Sequence, residues 1–565
     1  MANKHASLDA LFADIADAIR EKTGDTGTIP AVEFPNLIRD RLEVAPPTYL
    51  TFSSPNSFTL AIEDATKHWD GTLEYSTDTS TWTTWDGTTT LSSSTSGSDN
   101  VLYLRGTGNT VITSNSGYRW VLTGSDIACI GNIENLLDYA TVQSGAHPTM
   151  ALYCYFGMFD HCTSLTQAPA LPATTLANFC YQSMFQGCTS LTQAPALPAT
   201  TLTSSCYHSM FRNCTSLTQA PALPATTLTG SCYYSMFFGC TSLTQAPALP
   251  ATTLAAFCYQ SMFQGCTSLT QAPALSATSL MASCYQNMFY GCTSLTQAPA
   301  LPATTLTSSC YARMFYGCTS LTQAPELPAT TLANYCYINM FYNCTSLTQA
   351  PALPATTLTD YCYQSMFYGC TKIKLSSTQT GEYTVSYRIP TTGTGTTATD
   401  ALSNMFSSTG GTFTGTPAIN TTYYLSNTNE VIGGPIVVNI TASNISEYFT
   451  VTNDGSYYFN GQGNVFTTNN AGISTSTAST ILTAKQDISE ISFDYSYSSE
   501  PNYDQFTLEV AGSTIENAVS GATTAKSYNG SLTSGQTIEF KYVKDSSVDK
   551  NDDKCTFSNM VIKLG

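Results

Sequence analysis

Charged residues are scarce in this chain of 565 residues, and positive charges are scarcer than negative ones. Asp, Glu, Lys and Arg together make up 10% of the sequence, whereas about 25% is usual for a soluble protein. The 20 Lys and Arg against 38 Asp and Glu give a net charge of −18. Phosphate backbones and anionic lipid surfaces repel such a chain, so we expect neither nucleic-acid binding nor membrane insertion.

Long hydrophobic runs are also missing. No run approaches the roughly 20 apolar residues that a membrane-spanning helix needs. Asp9, Asp14 and Asp17 interrupt the apolar residues of the first 24, so this stretch does not resemble the core of a secretory signal. The Ser-, Thr-, Asn- and Tyr-rich body is nevertheless typical of a protein that works outside a cell. Release by lysis as part of a virus particle would reconcile these two features.

A repeated unit of 26 residues dominates the middle of the chain. Its form is C-Y-x-x-M-F-x-x-C-T-S-L-T-Q-A-P-A-L-P-A-T-T-L-x-x-x. A fixed period in this range is typical of a solenoid, in which neighbouring units bury each other's apolar faces. The first cysteines of the units are Cys154, Cys180, Cys206, Cys232, Cys258, Cys284, Cys310, Cys336 and Cys362.

Apolar residues four positions apart in each unit predict a two-turn helix with one buried face. Residues 190–194 are expected to form a short strand, because Pro195 and Pro198 lack the N–H that a parallel ladder needs. Stacked strands would place equivalent residues about 4.8 Å apart. In the second unit the residues expected to face inward are Cys180, Tyr181, Met184, Phe185 and Cys188.

Two different segments precede the repeats. Helical spacing of apolar residues over 6–22 and a second short helix over 31–42 make residues 1–45 a docking or oligomerisation segment, or a helical hairpin that caps the next domain. Short alternating stretches predict a small β-sandwich over 46–130. Most tryptophans should lie in its core: Trp69, Trp82, Trp85 and Trp120.

The solenoid with its N-terminal cap is predicted over 131–370. Residues 401–409 keep the outline of the unit without its cysteines, so 371–436 is interpreted as a degenerate capping repeat and linker. Alternating strands after this predict a jelly-roll β-sandwich over 437–565. The predicted fold class is therefore mainly β with short helices.

Eighteen of the 20 cysteines lie in the repeats. Two cysteines eight residues apart on one helix would be about 12 Å apart, too far for a disulfide. Disulfides between adjacent coils stay open as an alternative, but buried thiols that fill small core positions are the favoured interpretation. The spacing is not that of a zinc site, since no C-x-x-C pair occurs.

Catalytic chemistry is not expected in the repeats. Acid–base catalysis needs paired carboxylates or histidine relays, and we expect no cofactor. The charged residues between Thr163 and Cys370 are Arg212, Arg313, Glu326 and Asp360.

The position after Met-Phe forms a column that should lie along one outer edge. Stacked tyrosines could offer flat apolar faces with hydroxyl rims, a surface suited to sugars or to a partner protein. The alternative is that these rings only shield neighbouring coils. The candidate binding residues are Phe238, Tyr290, Tyr316, Tyr342 and Tyr368.

An acidic cluster near the C-terminus offers oxygen ligands of the kind that calcium prefers. It lacks the glycine and the closing glutamate of a complete calcium loop, so a solvated acidic turn is the favoured alternative. The candidate ligands are Asp545, Asp549, Asp552 and Asp553.

Three segments resemble known families. The units MFQGCTSLTQAPALPATTL and MFYGCTSLTQAPALPATTL closely resemble BspA-like leucine-rich repeats, which are abundant in gut bacteria and their phages. DALFADIADAIREKTGDTGTIPAVEFPNLI is similar to the opening of tail-associated phage proteins. FDYSYSSEPNYDQFTLEV and FKYVKDSSVDKNDDKCTFSNMVI are similar to jelly-roll modules of bacterial surface and carbohydrate-binding proteins, although CTFSN at 555–559 replaces the AWIDN that is frequent there.

These resemblances imply a phage tail fibre or receptor-binding protein that is not an enzyme. Residues 1–45 would bind other tail or baseplate proteins, the body would bind a host surface glycan or protein, and the fibre would be a trimer. The expected location is the virion tail, and the extracellular medium after lysis. A bacterial surface adhesin is one alternative. A glycan depolymerase is another, with carboxylates from Asp494, Glu500, Asp504 and Glu539.

Overall fold

The computed structural model describes residues 49–115, 118–433, 436–454, 456–470, 473–499, 503–546 and 554–564. The two predicted N-terminal helices lie outside these residues. Contacts divide the chain into two compact units, the first ending at Ile432 and the second starting at Gly433. Among the residues described, no helix has the length and apolar character to cross a membrane. The fold is mainly β with few helices, as the sequence predicts.

The first unit begins with two sheets that together contain ten short strands, all paired antiparallel except for the parallel pair β9 and β10. One sheet has the order β10-β9-β1-β7-β3-β4 with β6 beside β7, and the other has the order β5-β2-β8. Trp69, Trp85 and Trp120 are buried between them, as predicted, whereas Trp82 is half-exposed. The strands are β1 (Leu50–Ser54), β2 (Thr59–Ile62), β3 (Thr72–Ser76), β4 (Thr83–Trp85), β5 (Leu91–Ser92), β6 (Ser94–Ser96), β7 (Asp99–Thr107), β8 (Trp120–Thr123), β9 (Ile127–Ile130) and β10 (Leu165–Gln167).

This sandwich shares its core with the solenoid. After a 3₁₀ turn at Ile133–Leu136 and the short helix α1 (Tyr139–Gln143), strand β10 of the first coil pairs in parallel with β9. One continuous cluster of buried side chains runs from Leu50 to Leu425. The sandwich therefore caps the first coil by extending its apolar core, so the predicted boundary at residue 130 does not separate two cores.

The helix predicted in each repeat is wrong. Phe179, Ser183 and Gly187 have φ values of 59°, 54° and 70°, which a right-handed helix does not allow. Every second N–H bonds within its own turn, as from Met184 to the carbonyl of Tyr181 (3.2 Å). The intervening N–H groups bond to the next coil, as from Tyr181 to Cys206 (3.0 Å). Each unit therefore contributes a run of four-residue turns that is hydrogen-bonded to its neighbours.

The predicted inward face is nevertheless correct. A run of four-residue turns and a helix of 3.6 residues per turn both bring positions i and i+4 to the same side. The core tyrosines of adjacent coils stack 5.5–5.9 Å apart. The core phenylalanines stack 5.4–5.8 Å apart. In the second coil the buried residues are Cys180, Tyr181, Met184, Phe185 and Cys188.

The strand predicted over 190–194 is reduced to a single bridge. Gln193 pairs in parallel with Gln219, and the pairing repeats through successive coils to Gln323. Parallel strands of three residues form in the first coil, as β10, and in the last full coil of the described repeats, where β11 (Gln349–Pro351) pairs with β16 (Glu430–Ile432). Pro351 lies inside that strand, so the expectation that these prolines stay outside the ladder is wrong there.

A tenth, degenerate coil closes the solenoid, as predicted for residues 401–409. Tyr363 donates its N–H to the carbonyl of Ala401 (2.9 Å), and Phe406 stacks on Phe367 at 5.4 Å. A sheet of order β13-β15-β12-β14 lies in the same capping region. Its strands are β12 (Lys374–Ser376), β13 (Tyr383–Arg388), β14 (Gly410–Gly411) and β15 (Thr422–Ser426).

The second unit contains two antiparallel sheets. One has the order β19-β20-β27-β22-β25 with β17 beside β27, and the other has the order β18-β21-β26-β23-β24. Phe493 and Phe540 come from different sheets, and their rings lie 5.4 Å apart in a shared core. The unit is thus a β-sandwich, while its jelly-roll connectivity stays a prediction.

The elements of this sandwich, in chain order, are β17 (Ile436–Asn439), α2 (Ile445–Tyr448), β18 (Phe449–Asp454), β19 (Phe459–Gln462), β20 (Val465–Thr468), β21 (Thr477–Ala484), β22 (Ile488–Ser498), β23 (Gln505–Val510), β24 (Ser513–Val519), β25 (Lys526–Leu532), β26 (Thr537–Val543) and β27 (Lys554–Leu564).

Candidate binding surfaces

Four of the predicted binding residues form one continuous stack on the solenoid. Tyr290, Tyr316, Tyr342 and Tyr368 occupy the same position in successive coils, and each neighbouring pair of ring centroids is 4.5 Å apart. The ring planes differ by only 3–5°. All four side chains are half-buried. We call these four residues the tyrosine column.

The stacking covers most of the flat surface that the sequence suggested for a ligand. Four rings have eight faces, and the three stacks cover six of them. What the column presents to solvent is therefore a row of ring edges and hydroxyl groups. Burial, followed by the neighbouring phenol of Tyr290, raises the pKa of Tyr316 above its usual value.

Phe238 does not belong to the tyrosine column. Gln264 occupies the equivalent position in the coil between Phe238 and Tyr290. The guanidinium of Arg212 lies over the Phe238 ring, 4.2 Å from its centroid. This cation–π contact covers one face of the Phe238 ring, so that face is not open to a ligand.

A histidine–tyrosine stack beside this contact was missed by the sequence analysis. His208 stacks on Tyr234 at 4.6 Å, and burial lowers the pKa of His208 to about 4. The imidazole is therefore neutral at pH 7. The signal was present in the sequence, because the two residues are 26 positions apart and so occupy equivalent places in adjacent coils.

The calcium prediction is only partly within the described residues. Asp549, Asp552 and Asp553 lie outside them. The Asp545 N–H donates to the Asp504 carboxylate (2.9 Å), and its carbonyl accepts from the N–H of Thr475. Over the described part of the chain, no group of three or more His, Cys, Asp or Glu residues is arranged to hold a metal ion.

Of the four carboxylates considered for a depolymerase, the three that the structure describes do not lie together at one site. Asp494 on β22 alternates with buried Phe493 and Tyr495, and Glu539 on β26 alternates with buried residues of the other sheet. The two side chains therefore lie on opposite outer faces of the sandwich. Asp504 is 3% exposed, and its two oxygens accept hydrogen bonds from Asp545 and Tyr542. Glu500 is outside the described residues.

Comparison with known proteins supports the repeat assignment. Residues 154–270 and 256–387 match the BspA type leucine rich repeat region, in six copies. These residues are BspA-type leucine-rich repeats. The BspA-type repeats cover less than half of the chain, and they are consistent with a surface adhesin-type protein.

Similarity to individual known proteins is slight. No curated protein matches this chain. Among solved structures, the chain is similar to the secreted serine protease VesC from Vibrio cholerae, with 13% identity over 26% of this chain and 38% of that protein. The TM-score of 0.19 is too low to indicate a shared fold.

Proposed function

We propose that this protein is a phage tail fibre or receptor-binding protein that attaches the virion to the surface of a host bacterium. The observation that carries attachment is the stack of BspA-type repeats, whose continuous core extends from Leu50 to Leu425 and is capped at both ends. Such a stack is a rigid support that displays equivalent surface positions at every coil. The phage assignment rests on the resemblance of residues 1–45 to tail-associated segments.

The proposed role requires no catalysis. Four charged residues over the 208 positions from Thr163 to Cys370 supply neither a carboxylate pair nor a proton relay.

We propose that residues 1–45 bind tail or baseplate proteins and that the fibre is a trimer. Contact with a host glycan or protein would then gain avidity from several copies.

A bacterial surface adhesin is the second candidate, because the BspA-type repeats are equally consistent with it. The two candidates place the protein differently: a tail fibre belongs to the virion, whereas an adhesin belongs to the bacterial surface. Antibody labelling of purified virions and of uninfected cells, viewed by electron microscopy, distinguishes them. Label at the tail tip supports the proposal, and label confined to cells overturns it.

Binding to host cells tests attachment directly. The full-length protein and a truncation ending at Ile432 are labelled with the same fluorophore and incubated with candidate gut bacteria. Because the two units have separate cores, the truncation should keep its thermal transition. Binding of the full-length protein alone assigns the contact to the C-terminal sandwich, and equal binding assigns it to the solenoid. Absence of binding by both to every susceptible strain overturns the proposal.

A further inference from the structure

Strand β27 of the C-terminal sandwich contains a bulge at Asn559. Ser492 on β22 pairs with Val561 and Asp494 pairs with Ser558, so the register shifts between these two pairs. Asn559 is the extra residue, with a φ of 51°. A bulge re-aims a side chain out of the regular alternation of a strand. Here it leaves the Asn559 side chain exposed beside Asp494.

A chain of hydrogen bonds fixes these exposed side chains. Asn559 donates to one oxygen of Asp494 (2.9 Å), and Ser527 donates to the other. Asn464, in the turn between β19 and β20, donates to the amide oxygen of Asn559 (2.8 Å). The bonds from Asn559 and Ser527 lower the pKa of Asp494, so this carboxylate is ionised at neutral pH. Three strands and one turn, namely β22, β25, β27 and the turn between β19 and β20, thus hold one polar array in place.

A concave surface adjoins this array. It is an open depression with a volume of about 530 Å³. Val465, its apolar member, is 40% exposed and pairs with Ser558, next to the bulge. The lining residues are Asn460, Gln462, Val465, Thr467, Thr468 and Asn469.

We propose that this surface, formed by the concave lining and the Asn464–Asn559–Asp494–Ser527 array, binds a neutral saccharide. The inference rests on the proposed attachment function and names its ligand class. Amides, hydroxyls and one ionised carboxylate match the vicinal hydroxyls of a sugar, and Val465 offers an apolar contact for its C–H groups. The lining and the array include no lysine or arginine, and the chain carries a net charge of −18. Anionic glycans are therefore disfavoured.

Pre-orientation of the array supports binding. The amide of Asn559 and the carboxylate of Asp494 are held by hydrogen bonds although both are solvent-accessible. A ligand that bonds to them loses less side-chain entropy than one that must order free side chains. The polar character also differs from that of the tyrosine column, whose ring faces are already stacked.

Point variants in the full-length protein test the site. Thr467→Arg places a long side chain on the concave surface, and Gln462→Ala removes an amide from it. Matched controls on the other sheet are Thr507→Arg and Gln505→Ala, which change the same residue types on outward strand positions. Binding is measured on an array of neutral, sialylated and sulfated oligosaccharides, with thermal unfolding as the check of folding.

We expect the wild type and both controls to bind a subset of the neutral oligosaccharides, and each site variant to bind at least tenfold more weakly with an unchanged thermal transition. Binding only to anionic glycans, to peptides in a parallel assay, or to nothing overturns the proposal. Equal binding by site and control variants also overturns it. Binding to host cells is measured separately. If the Thr467→Arg variant still attaches to cells, the proposed saccharide site is refuted and the attachment function is not. If the protein binds glycans but attaches to no susceptible strain, the attachment function is refuted and the saccharide site is not.

Discussion

The thiol of Cys240 donates a hydrogen bond to the backbone carbonyl oxygen of Phe211, 3.0 Å away in the preceding coil. That carbonyl already accepts the N–H of Cys214 (3.1 Å), so the thiol uses its second lone pair. From the second coil to the ninth, the second cysteine of the coil thereby links adjacent coils as a buried donor. The equivalent bonds run from Cys188, Cys214, Cys266, Cys292, Cys318, Cys344 and Cys370.

All twenty cysteines are buried free thiols, so the favoured interpretation of the sequence is confirmed. Burial raises the pKa of Cys180 to about 12 and that of Cys232 to about 11. We expect a thiol reagent at pH 8 to label almost none of them in the native protein, and all of them in denaturant. Rapid labelling of several thiols without unfolding would contradict this burial.

The same burial predicts loss of stability in alkali. Unfolded thiols ionise near pH 8.5, whereas the folded thiols stay protonated to about pH 11 or beyond. The stabilising difference is complete below pH 8.5 and is lost as the pH rises through the folded pKa. Between the unfolded and the folded pKa, each buried thiol lowers the free energy of unfolding by about 1.4 kcal/mol per pH unit. We expect the denaturant midpoint to be constant from pH 6 to 8 and to fall steeply above pH 9; a midpoint unchanged at pH 10 would refute this.

The variant Gly291→Ala distinguishes the turn structure from a helix, because the two predict changes of opposite sign in the free energy of unfolding. In a helix, alanine would stabilise by up to about 1 kcal/mol relative to glycine. Gly291 has a φ of 70°, where a Cβ costs roughly 1–2 kcal/mol. A Cβ there would only just touch the Cα of Gly265, at 4.0 Å, so the loss would report the backbone conformation alone.

The measurement is urea unfolding of Gly291→Ala beside Gln286→Ala from the same coil. Gln286 is half-exposed and has no positive φ, so its variant should change the free energy of unfolding by less than about 0.5 kcal/mol. If Gly291→Ala were more stable than the wild type, the result would contradict the turn structure and support the helix that the sequence predicted.

Two adjacent phenylalanines of one coil, Phe237 and Phe238, should differ strongly in how much stability is lost when each is replaced by alanine. Phe237 is fully buried and stacks on Phe211 and Phe263, so Phe237→Ala should lower the free energy of unfolding by about 3–5 kcal/mol. Phe238 is half-exposed and contacts Arg212, so Phe238→Ala should cost about 1 kcal/mol. Chemical denaturation compares them, and equal losses would show that the inward face is misassigned.

Replacing a tyrosine in the middle of the tyrosine column should lower the free energy of unfolding more than replacing one at its end. Tyr316→Ala removes two stacking contacts and Tyr290→Ala removes one, at about 0.5–1.5 kcal/mol each. We expect Tyr316→Ala to lose about twice as much stability as Tyr290→Ala in the same unfolding experiment. Tyr316→Phe, which keeps the ring, serves as the control. Losses of the same size for both alanine variants would mean that the rings do not support one another.

Several features of the solenoid were predictable because they depend on the order of side chains along the chain. The period, the inward face, the buried cysteines and the degenerate last coil all follow from the identity of residues at fixed spacing. The helix prediction failed because positions i and i+4 share a side in both conformations. Small or turn-forming residues at most of the positive-φ positions, such as Ser183 and Gly187, were the sequence signal that distinguishes these turns from a helix.

The sequence by itself determined which residues of each repeat are buried, since apolar side chains must leave water whatever backbone carries them. Only the tertiary structure decided which groups they meet. The N–H of Tyr181 bonds to a coil that lies 25 residues further on, and Asn464 meets Asn559 across 95 residues. Hydrogen bonds and ring stacking require contact within a few ångströms, and such contacts between distant segments arise only when the whole chain has folded.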